Sequence, residues 1–554
     1  MASKPSPSSP HAHSALVQSA VPPRDEESAA EYNTGGYLQV KVDDTFKDGR
    51  YIVVRKLGWG HFSTVWLVKD TKCLRHSALK VVKSAGRYAE TARDEIKLLK
   101  QIQDTSPEHV GRAHVVSFLD SFTHTSSTGA HVCITFEPLG ENLLALIEKN
   151  RRKGVAPCLV KCIARQLLLG LQYLHEECDL VHTDIKPENI LMSIPDVELH
   201  IADQLSNSPT PQTYKLAIPP AARARRTSAI PTHVAPGPAR SVQIFESQPL
   251  RSPSRHNLLS ASSSGSISSL AFTPRSPTTT APTTPSTSLG SAMSKLKISP
   301  AAAPDAGPSG SAPGSAGSDD GPTVLEVQVK GKAPKPTGPS LLSRTAPPRE
   351  ARSRSRASFD EDESSSRDSS LSPVSIKIAD LGNATPSKRH YTEDIQTRQY
   401  RSPEAILGRA DWGCAVDVWS AACVVFELLT AEYLFEPQGQ GQLFSKDDDH
   451  MAQIIELLGD LPASAKQGGR YARELFDSQG GLRYIKHLKP WPLNRVMREK
   501  YLFGTEDADA LCAFLEPMLE VDFHKRARAG EMCTHPWLDV DWEREAAQLD
   551  KVNW

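Results

Sequence analysis

The stretch that decides the fold is residues 182–191, which reads His182-Thr183-Asp184-Ile185-Lys186-Pro187-Glu188-Asn189-Ile190-Leu191. It places a carboxylate, then a lysine two residues later, then a side-chain amide five residues after the carboxylate, and a pair of apolar residues follows. A chance polar turn before a strand is the alternative, but such a turn would not need these residue types at fixed offsets. The spacing therefore indicates a loop with a chemical role that leads into a strand.

This loop resembles the catalytic loop of protein kinases, whose usual form is H-R-D-x-x-x-x-N. The resemblance implies that Asp184 accepts the proton of a substrate hydroxyl and that Asn189 binds a Mg²⁺ ion bridging ATP phosphates. Lys186 is similar to the lysine that serine/threonine kinases carry two residues after the aspartate. Thr183 replaces the usual arginine, which grips a phosphate on the activation segment. We therefore expect activity without phosphorylation of that segment.

Residues 57–65 resemble a kinase glycine-rich loop, G-x-G-x-x-G-x-V, with Ser63 at the third glycine. The resemblance implies that Leu57, Gly58, Gly60 and Val65 line the nucleotide site. The two glycines would let the backbone approach the ATP phosphates because they carry no Cβ. A glycine pair in a hairpin turn is the commonplace alternative.

Two charged residues are expected to pair beside that loop. Lys80 lies in an apolar strand that matches V-A-I-K, which implies contact with the α- and β-phosphates, although a lysine at a sheet edge is also common. Helical spacing over residues 88–101 predicts a helix that includes Glu95. Glu95 is the expected ion-pair partner of Lys80. Glu90 and Asp94 are the rival carboxylates, and Glu95 is preferred because it precedes Ile-x-Leu-Leu, as in the family.

The segment after the predicted buried strand, residues 131–136, resembles a kinase hinge. Backbone groups of Glu137 and Leu139 would bind adenine, and Phe136 would be the gatekeeper. Pro138 has no backbone N–H, so Leu139 is the expected donor.

Asp380 is the first residue of an Asp-Leu-Gly triplet at the position where kinases have D-F-G. The resemblance implies that Asp380 is the main Mg²⁺ ligand. Thr397, in the activation segment that follows, would hydrogen-bond Asp184 and help to fix the substrate hydroxyl. Glu404 belongs to the counterpart of A-P-E, and Arg526 is its expected partner. We interpret this last pair as structural.

The amino-acid composition differs between parts of the chain that can fold and parts that cannot. The 42 Pro and the long Ser-rich middle cannot bury a core, so we expect folded and disordered parts to alternate. A structureless stretch of that length is extruded from a domain rather than held within it. The expected parts are a disordered tail at 1–33, kinase sequence at 34–203, a disordered Ser/Pro-rich insert at 204–374, kinase sequence at 375–540 and a C-terminal tail at 541–554. Residues 197–201 are expected to be a short strand, and residues 105–130 mostly irregular.

Charge and cysteine usage narrow the function classes. Residues 204–374 carry 19 Lys and Arg against 11 Asp and Glu, a net of +8, so the rest of the chain, whose total is −1, carries −9. An acidic folded part suggests a basic partner. Nine Cys without CxxC spacing argue against a disulfide framework or a zinc site, and no apolar run approaches a membrane span. We expect a soluble intracellular protein.

Taken together, the motifs resemble those of the SR-protein kinases, serine kinases that act on Arg-Ser repeats of splicing factors. The resemblance covers about residues 31–203 and 375–540, and its most specific segments are residues 55–66, 182–184, 378–384, 393–401 and 433–437. A spacer that splits the kinase domain after the catalytic loop is also typical of that family. Thr385-Pro386 departs from the usual Cys-Trp, which leaves the start of the activation segment open.

The resemblance implies an α+β, bilobal protein kinase fold, with a small β-rich N-lobe and a larger, mostly helical C-lobe, split by a long disordered insert. It implies ATP and Mg²⁺ as cofactors, Arg-Ser-rich proteins as substrates and a role in mRNA splicing. The family uses its spacer mainly to hold the kinase in the cytoplasm. We expect this protein to be present in both the cytoplasm and the nucleus. We expect a monomer that binds neither nucleic acid nor a membrane directly.

The family also places an acidic docking groove after the segment that begins at Asp417. By motif position, Glu432, Asp449 and Glu456 are expected to line it and to hold an Arg-rich segment. A solvated charge run is the alternative for residues 447–449.

Two other functions are weighed against an active kinase. A pseudokinase scaffold would be expected to lack Lys80, Asp184 or Asp380, and all three are present. An RNA-binding protein is suggested only by the Arg-Ser run at residues 352–356, without an aromatic RNA-binding signature. An active kinase is therefore the preferred hypothesis.

Overall fold

The computed structural model describes residues 26–218, 241–252 and 373–554. The N-lobe is built on a six-stranded antiparallel sheet in the order β1-β2-β3-β4-β6-β5. Its strands are β1 (Thr45–Phe46), β2 (Tyr51–Gly60), β3 (Ser63–Asp70), β4 (Arg75–Val82), β5 (Phe118–Ser126) and β6 (Gly129–Phe136). Strand β5 lies in a region that we expected to be mostly irregular. It is a sheet-edge strand of largely polar residues, which hides the strand signal.

One long helix, α1 (Gly86–Asp104), packs against this sheet and extends the predicted helix at both ends. Its buried positions recur every three or four residues, and Glu95 is the only charged residue among them. A buried carboxylate on that face must meet a partner in the N-lobe.

The chain then enters the C-lobe through α2 (Leu143–Lys149) and α3 (Pro157–Gln172). Asn142 caps α2 by accepting a hydrogen bond from the backbone N–H of Ala145 at 3.0 Å. A π-helical turn, Tyr173–Glu177, follows α3 directly, and the short strands β7 (Leu180–Val181) and β8 (Ile190–Met192) flank residues 182–189. The decisive stretch is therefore held at both ends.

The prediction of a short strand at residues 197–201, after β8, is wrong. This segment forms a helix, α4 (Val197–Asn207), whose one buried residue is Ile201. A helix with a single buried position leaves almost no periodic signal in the sequence, which explains the error.

The beginning of the expected disordered insert is also folded. Strands β9 (Thr213–Ala217) and β10 (Ser241–Phe245) pair antiparallel over five residues, and Val242 and Ile244 are buried against Tyr32 and Tyr37. Residues 246–252 continue from β10, and Leu250 is buried there as well. The remaining parts of the insert, residues 219–240 and 253–372, lie outside the described residues.

Residues 26–33 are ordered, although we placed them in a disordered tail; the rest of that tail lies outside the described residues. The Lys56 side chain in β2 is completely buried and pairs with Glu26 at 2.6 Å and with Glu27. It also donates a hydrogen bond to the backbone carbonyl of Phe245 at 3.0 Å. This ion cluster ties the start of the described chain and β10 to the strand that leads into the glycine-rich loop.

The second half of the C-lobe begins with β11 (Ile376–Ile378) and β12 (Thr385–Pro386), which pair antiparallel with β8 and β7. The later helices are α5 (Pro403–Ile406), α6 (Ala415–Thr430), α7 (Lys446–Leu458), α8 (Ala463–Lys466), α9 (Ala472–Leu475), α10 (Leu493–Glu499), α11 (Thr505–Met518), α12 (Ala529–Met532) and α13 (Trp542–Glu545). Helix α6 is buried along nearly its whole length and packs against α3, so it forms the centre of this lobe.

Residues 541–554, expected as a tail, pack onto the same lobe. Leu549 and Val552 are buried in its core, and the backbone N–H of Asn553 donates to the Asn150 side chain at 2.9 Å. Among the residues that the structure describes, no helix is long and apolar enough to cross a membrane.

Candidate active site

The catalytic loop is held from beneath by one buried carboxylate. Asp417, near the start of α6, accepts hydrogen bonds from the backbone N–H groups of His182 at 2.7 Å and Thr183 at 2.9 Å. The same carboxylate contacts His175 Nε2 at 2.9 Å. Because Asp417 is completely buried, these bonds fix the loop on the rigid core of the C-lobe.

Asp184 lies at the centre of a compact polar group. Its carboxylate receives the Lys186 ammonium at 2.7 Å and the Thr397 hydroxyl at 2.7 Å. Lys186 also donates to the Thr397 hydroxyl at 3.0 Å. Burial alone would raise the pKa of Asp184, but the bonds from Lys186 and Thr397 outweigh it and hold the pKa below its usual range. Asp184 is therefore an ionised, oriented acceptor.

The predicted ion pair between Lys80 and Glu95 is present. The ammonium contacts the two carboxylate oxygens at 2.8 and 2.9 Å, and Asp380 lies 3.8 Å away. Burial would lower the pKa of Lys80, but the two carboxylates raise it, so the lysine stays charged. Helix α1 thus holds a cation beside the aspartate of the Asp-Leu-Gly triplet.

The glycine-rich loop closes the other side of this cleft. Gly58 and Gly60 lie in β2, and a Cβ atom at either position would have no neighbour within 4 Å. Val65 is paired with Lys80 across β3 and β4, so its position is fixed relative to the ion pair. Open space beside both glycines fits a phosphate chain that must approach the backbone closely.

The hinge is braced by a side chain. The Glu137 carboxylate accepts from the Ser117 N–H at 2.7 Å and pairs with Lys377 at 2.8 Å. These bonds give the Glu137 side chain a structural role. The backbone groups of Glu137 and Leu139 remain the ones expected to bind adenine.

The donor set for a cation consists of Asp380 and Asn189. The Asn189 amide nitrogen donates to the Asp184 carbonyl at 2.9 Å, so its amide oxygen points elsewhere, and the Asp380 side chain is half exposed. Two oxygen donors fit Mg²⁺, which keeps waters and substrate phosphates as its other ligands. Within the described residues, no group of three His, Cys, Asp or Glu side chains could hold a metal ion by itself.

The activation segment is held by Thr183 and by Gln396, of which only Thr183 stands out in the sequence motifs. Thr183, which replaces the usual arginine, donates its hydroxyl to the backbone carbonyl of Asn383 at 2.9 Å. The Gln396 N–H donates to the Thr183 carbonyl at 2.9 Å, and the buried Gln396 side chain bonds backbone and hydroxyl groups on both sides. Gln396 has a positive φ of 65°, so a tight bend precedes Thr397.

A buried ion pair anchors the end of that segment. Arg526 contacts the two carboxylate oxygens of Glu404 at 2.6 and 3.0 Å, and both residues are buried. The bidentate geometry gives the segment a fixed end on the C-lobe.

Comparison with known proteins identifies the family. The protein kinase domain profile matches residues 51–210 and 366–538. The protein kinase dsk1 of Schizosaccharomyces pombe is 40% identical over 93% of this chain and 85% of its own length. SRSF protein kinase 3 of Homo sapiens is 40% identical over 93% and 90%, and the serine/threonine-protein kinase SKY1 of Saccharomyces cerevisiae is 37% identical over 93% and 78%. The chain belongs to the SR-protein kinase family. It is a serine/threonine protein kinase, and the kinase domain implies that it uses ATP.

The three predicted docking residues of this kinase do not share one open surface. Glu432 is half exposed and pairs with Lys500 at 2.9 Å. Asp449 and Glu456 lie seven residues apart on α7 and are buried. Asp449 accepts from the Gln438 N–H at 2.8 Å, and burial raises its pKa. Docking at these residues stays a prediction.

Gln396 could have been found in the sequence, because it lies in the family segment 393–401 immediately before Thr397. Its amide role has no motif of its own, however, since the bonding partners come from α6 and from the segment itself. Spatial convergence of this kind is visible only in the folded kinase.

Proposed function

We propose that this protein is an ATP- and Mg²⁺-dependent kinase that phosphorylates serines in Arg-Ser-rich segments of splicing-factor-like proteins. The observation that supports this most directly is the assembly of Lys80, Glu95, Asp184, Asn189 and Asp380 around one cleft in a relative of SRSF protein kinase 3. Regulation of mRNA splicing, and a distribution between cytoplasm and nucleus, belong to the same proposal.

The catalytic residues act by position and charge. Asp184 accepts a hydrogen bond from the substrate hydroxyl and takes its proton, while Lys186 and Thr397 keep the carboxylate oriented. Lys80 would neutralise charge on the phosphates, and Glu95 keeps its ammonium in place. Asn189 and Asp380 would hold Mg²⁺ and thereby balance the charge of the transferred phosphoryl group.

We propose further that the kinase is constitutively active. Kinases with an arginine before the catalytic aspartate order the activation segment through a phosphate. In this chain the Thr183–Asn383 and Gln396 bonds hold the same segment without added charge. The kinase expressed in bacteria and treated with phosphatase should keep its turnover. A loss of activity that is reversed only by phosphorylation between Asp380 and Glu404 would contradict this.

Docking of Arg-rich segments at Glu432, and at Asp449 and Glu456 of α7, is part of the proposal. One carboxylate oxygen of Glu456, Oε2, is buried without a hydrogen-bond partner among the described residues, while the other accepts from the Lys489 N–H at 2.9 Å. A guanidinium would satisfy such an oxygen, because it offers several donors in one plane. A small local opening of the surface would be needed to reach it.

The direct test compares substrates. An Arg-Ser repeat peptide should be phosphorylated with a much higher kcat/KM than a Ser-Pro peptide or an acidic, casein-like peptide. Equal rates on all three would refute the substrate class, although not the kinase activity.

Docking is tested by neutral substitutions, because reversal to Lys would bury a new charge at Asp449 or Glu456. The variant with Glu432→Gln, Asp449→Asn and Glu456→Gln should raise KM for long Arg-Ser substrates and spare short peptides. The effect should weaken in high salt, since the Glu432 contacts are exposed and screened. Equal losses on short and long substrates would indicate damage to the lobe instead.

A further inference from the structure

The tip of the glycine-rich loop is held by a residue that precedes the part of the chain matching the kinase profile. Strands β2 and β3 form a hairpin, and Gly60 pairs with Ser63 at its closed end. The hydroxyl of the buried Tyr37 donates a hydrogen bond to the Gly60 carbonyl at 2.7 Å. Tyr37 lies before residue 51, where the profile match begins. The contact is therefore an addition to the kinase core, and the catalytic residues described above do not include it.

The backbone around Tyr37 is anchored beside the start of α1. The Gly36 carbonyl accepts from the Ser84 N–H at 3.1 Å, and the Gly35 carbonyl accepts from the Ala85 N–H at 3.0 Å. A Cβ atom at position 36 would lie 1.7 Å from the Glu31 carbonyl oxygen, so only glycine fits this turn. Tyr37 is therefore carried by a closely packed turn that is bonded to its neighbours.

The segment that carries Tyr37 lies behind the sheet, as seen from the nucleotide side. Leu38 and Val40 are buried together with Leu79 of β4. Successive side chains of a strand point to opposite faces, so Lys80, which follows Leu79, points to the other face. Tyr37 thus approaches the loop from the face opposite to the expected ATP site. Its hydroxyl holds the loop without lying among the phosphates, which makes Tyr37 a candidate positioning residue and not a catalytic one.

Further contacts join the same tip to α1. The Phe62 carbonyl accepts from the Lys83 N–H at 2.9 Å, and the Phe62 ring lies 5.3 Å from the ring of Tyr88 in the first turn of α1. The Lys83 ammonium lies 4.3 Å from the centre of the Tyr37 ring and pairs with Glu31 at 2.7 Å. Burial raises the pKa of Tyr37, so its hydroxyl remains protonated and able to donate. The tip is therefore held from behind by Tyr37 and from the side by α1.

We propose that Tyr37 is a positioning residue for phosphoryl transfer, because its hydroxyl keeps the tip of the glycine-rich loop in the place from which the loop backbone covers the ATP phosphates. Phosphoryl transfer depends on the alignment of the phosphate with its acceptor, so a tip that moves freely spends less time in the productive geometry. This inference does not depend on the Arg-Ser substrate class, since any peptide that the kinase accepts reports the transfer step.

Tyr37→Phe removes the hydroxyl and keeps the ring that packs against Lys83. A purely structural role of Tyr37 is the competing interpretation, and Tyr51→Phe is the matched control for it. Tyr51 is also buried in the N-lobe, and its hydroxyl donates to Asp120 at 2.8 Å at the opposite end of β2.

Three measurements are made on the full-length kinase and both variants. The first is the single-turnover rate of peptide phosphorylation, followed by rapid quench at saturating ATP. The second is KM for ATP beside the inhibition constant of adenosine. The third is backbone hydrogen exchange of residues 57–66 in the absence of nucleotide, which reports the mobility of the loop without any substrate.

Tyr37→Phe should lower the single-turnover rate by about two- to tenfold, as expected for the loss of one neutral hydrogen bond. KM for ATP should rise, whereas the inhibition constant of adenosine, which has no phosphates, should stay as in the wild type. Backbone exchange of residues 57–66 should become faster. Tyr51→Phe should lower the thermal unfolding midpoint and leave all three measurements unchanged.

Equal changes of these measurements in the two variants would assign Tyr37 a structural role and overturn the proposal. An unchanged transfer rate in Tyr37→Phe would overturn it too, even if ADP were released faster. If the kinase phosphorylated none of the Arg-Ser peptides, the proposed function would fail instead. The role of Tyr37 would then be decided by ATP and adenosine affinities and by hydrogen exchange, and unchanged ATP affinity and exchange in Tyr37→Phe would refute it.

Discussion

Replacing Gln396 by methionine tests whether the activation segment is ordered by its own buried bonds. Methionine keeps the length of the side chain and tolerates the same pocket, but it can neither donate nor accept these hydrogen bonds. The glutamine amide nitrogen donates to the Val416 carbonyl and to the Ser420 hydroxyl, both at 2.8 Å. Its amide oxygen accepts from the Ser402 N–H and hydroxyl, both at 3.0 Å.

The cost follows from what each partner can do afterwards. The Ser420 hydroxyl keeps its bond to the Tyr400 carbonyl at 2.7 Å, and the Ser402 hydroxyl can rotate. The N–H of Ser402, a completely buried residue, loses its acceptor, and an unsatisfied buried donor costs about 1–3 kcal/mol. The other lost hydrogen bonds contribute about 1 kcal/mol net. The free energy that favours the ordered segment therefore falls by roughly 2–4 kcal/mol.

This loss would shift the equilibrium between ordered and disordered segment by about thirty- to a thousandfold. We expect kcat/KM for an Arg-Ser peptide to fall at least about tenfold, because Thr397 would no longer be held against Asp184. Limited proteolysis should cut the segment faster, and the thermal unfolding midpoint should fall. Gln467→Met, at an exposed position, is the matched control and should change none of these. If Gln396→Met keeps kcat/KM within about twofold while proteolysis is unchanged, the bonds do not order the segment.

Three further predictions follow from the same geometry. Asp184→Asn should retain ATP binding but lose about a hundredfold or more in turnover, measured with an Arg-Ser peptide, because the proton acceptor is removed while the shape is kept; near wild-type turnover would refute the assignment. Deletion of residues 253–372 should leave the unfolding midpoint and turnover on short peptides nearly intact, whereas deletion of residues 205–373 should lower both, because it removes the buried contacts of β9 and β10. Burial, together with the charges of Arg398 and Arg401, lowers the pKa of His450 to about 3, so between pH 6.5 and about pH 3 only the unfolded chain takes up this proton. Stability should therefore be full above pH 6.5 and fall as the pH drops toward 3, by about 2 kcal/mol at pH 5, and His450→Leu should remove that part of the slope in chemical unfolding at pH 7 and pH 5.

The sequence predicted the residues whose chemistry admits few substitutes. Phosphoryl transfer needs a cation, a proton acceptor and oxygen ligands, so Lys80, Asp184 and Asp380 stand in recognisable motifs, and the structure brings them to one cleft. The bilobal fold followed from the same motifs, because their order along the chain is that of the family. Spacing in sequence was sufficient for these elements.

The boundaries of the insert could not be predicted, because composition averages over long windows. The Ser- and Pro-rich character of residues 204–374 concealed a few apolar side chains, such as Val242 and Ile244, that complete a small core with Tyr32 and Tyr37. The Lys56 cluster was hidden for a related reason. Its partner Glu26 is 30 residues away and Phe245 is 189 residues away, and no local pattern links such distant groups.

Tyr400 in the activation segment is held through both its backbone and its side chain. The Gln396 amide bonds its carbonyl at 3.2 Å, and Glu427 accepts its hydroxyl at 2.7 Å. Both bonds stabilise the turn that holds Thr397 against Asp184, and neither of them needs a phosphate. Thr183, which stands where other kinases have an arginine, adds a third contact through its bond to the Asn383 carbonyl. Because all three bonds join the activation segment to groups of the C-lobe itself, this kinase does not need an added phosphate to order the segment, which is the physical reason to expect turnover without phosphorylation.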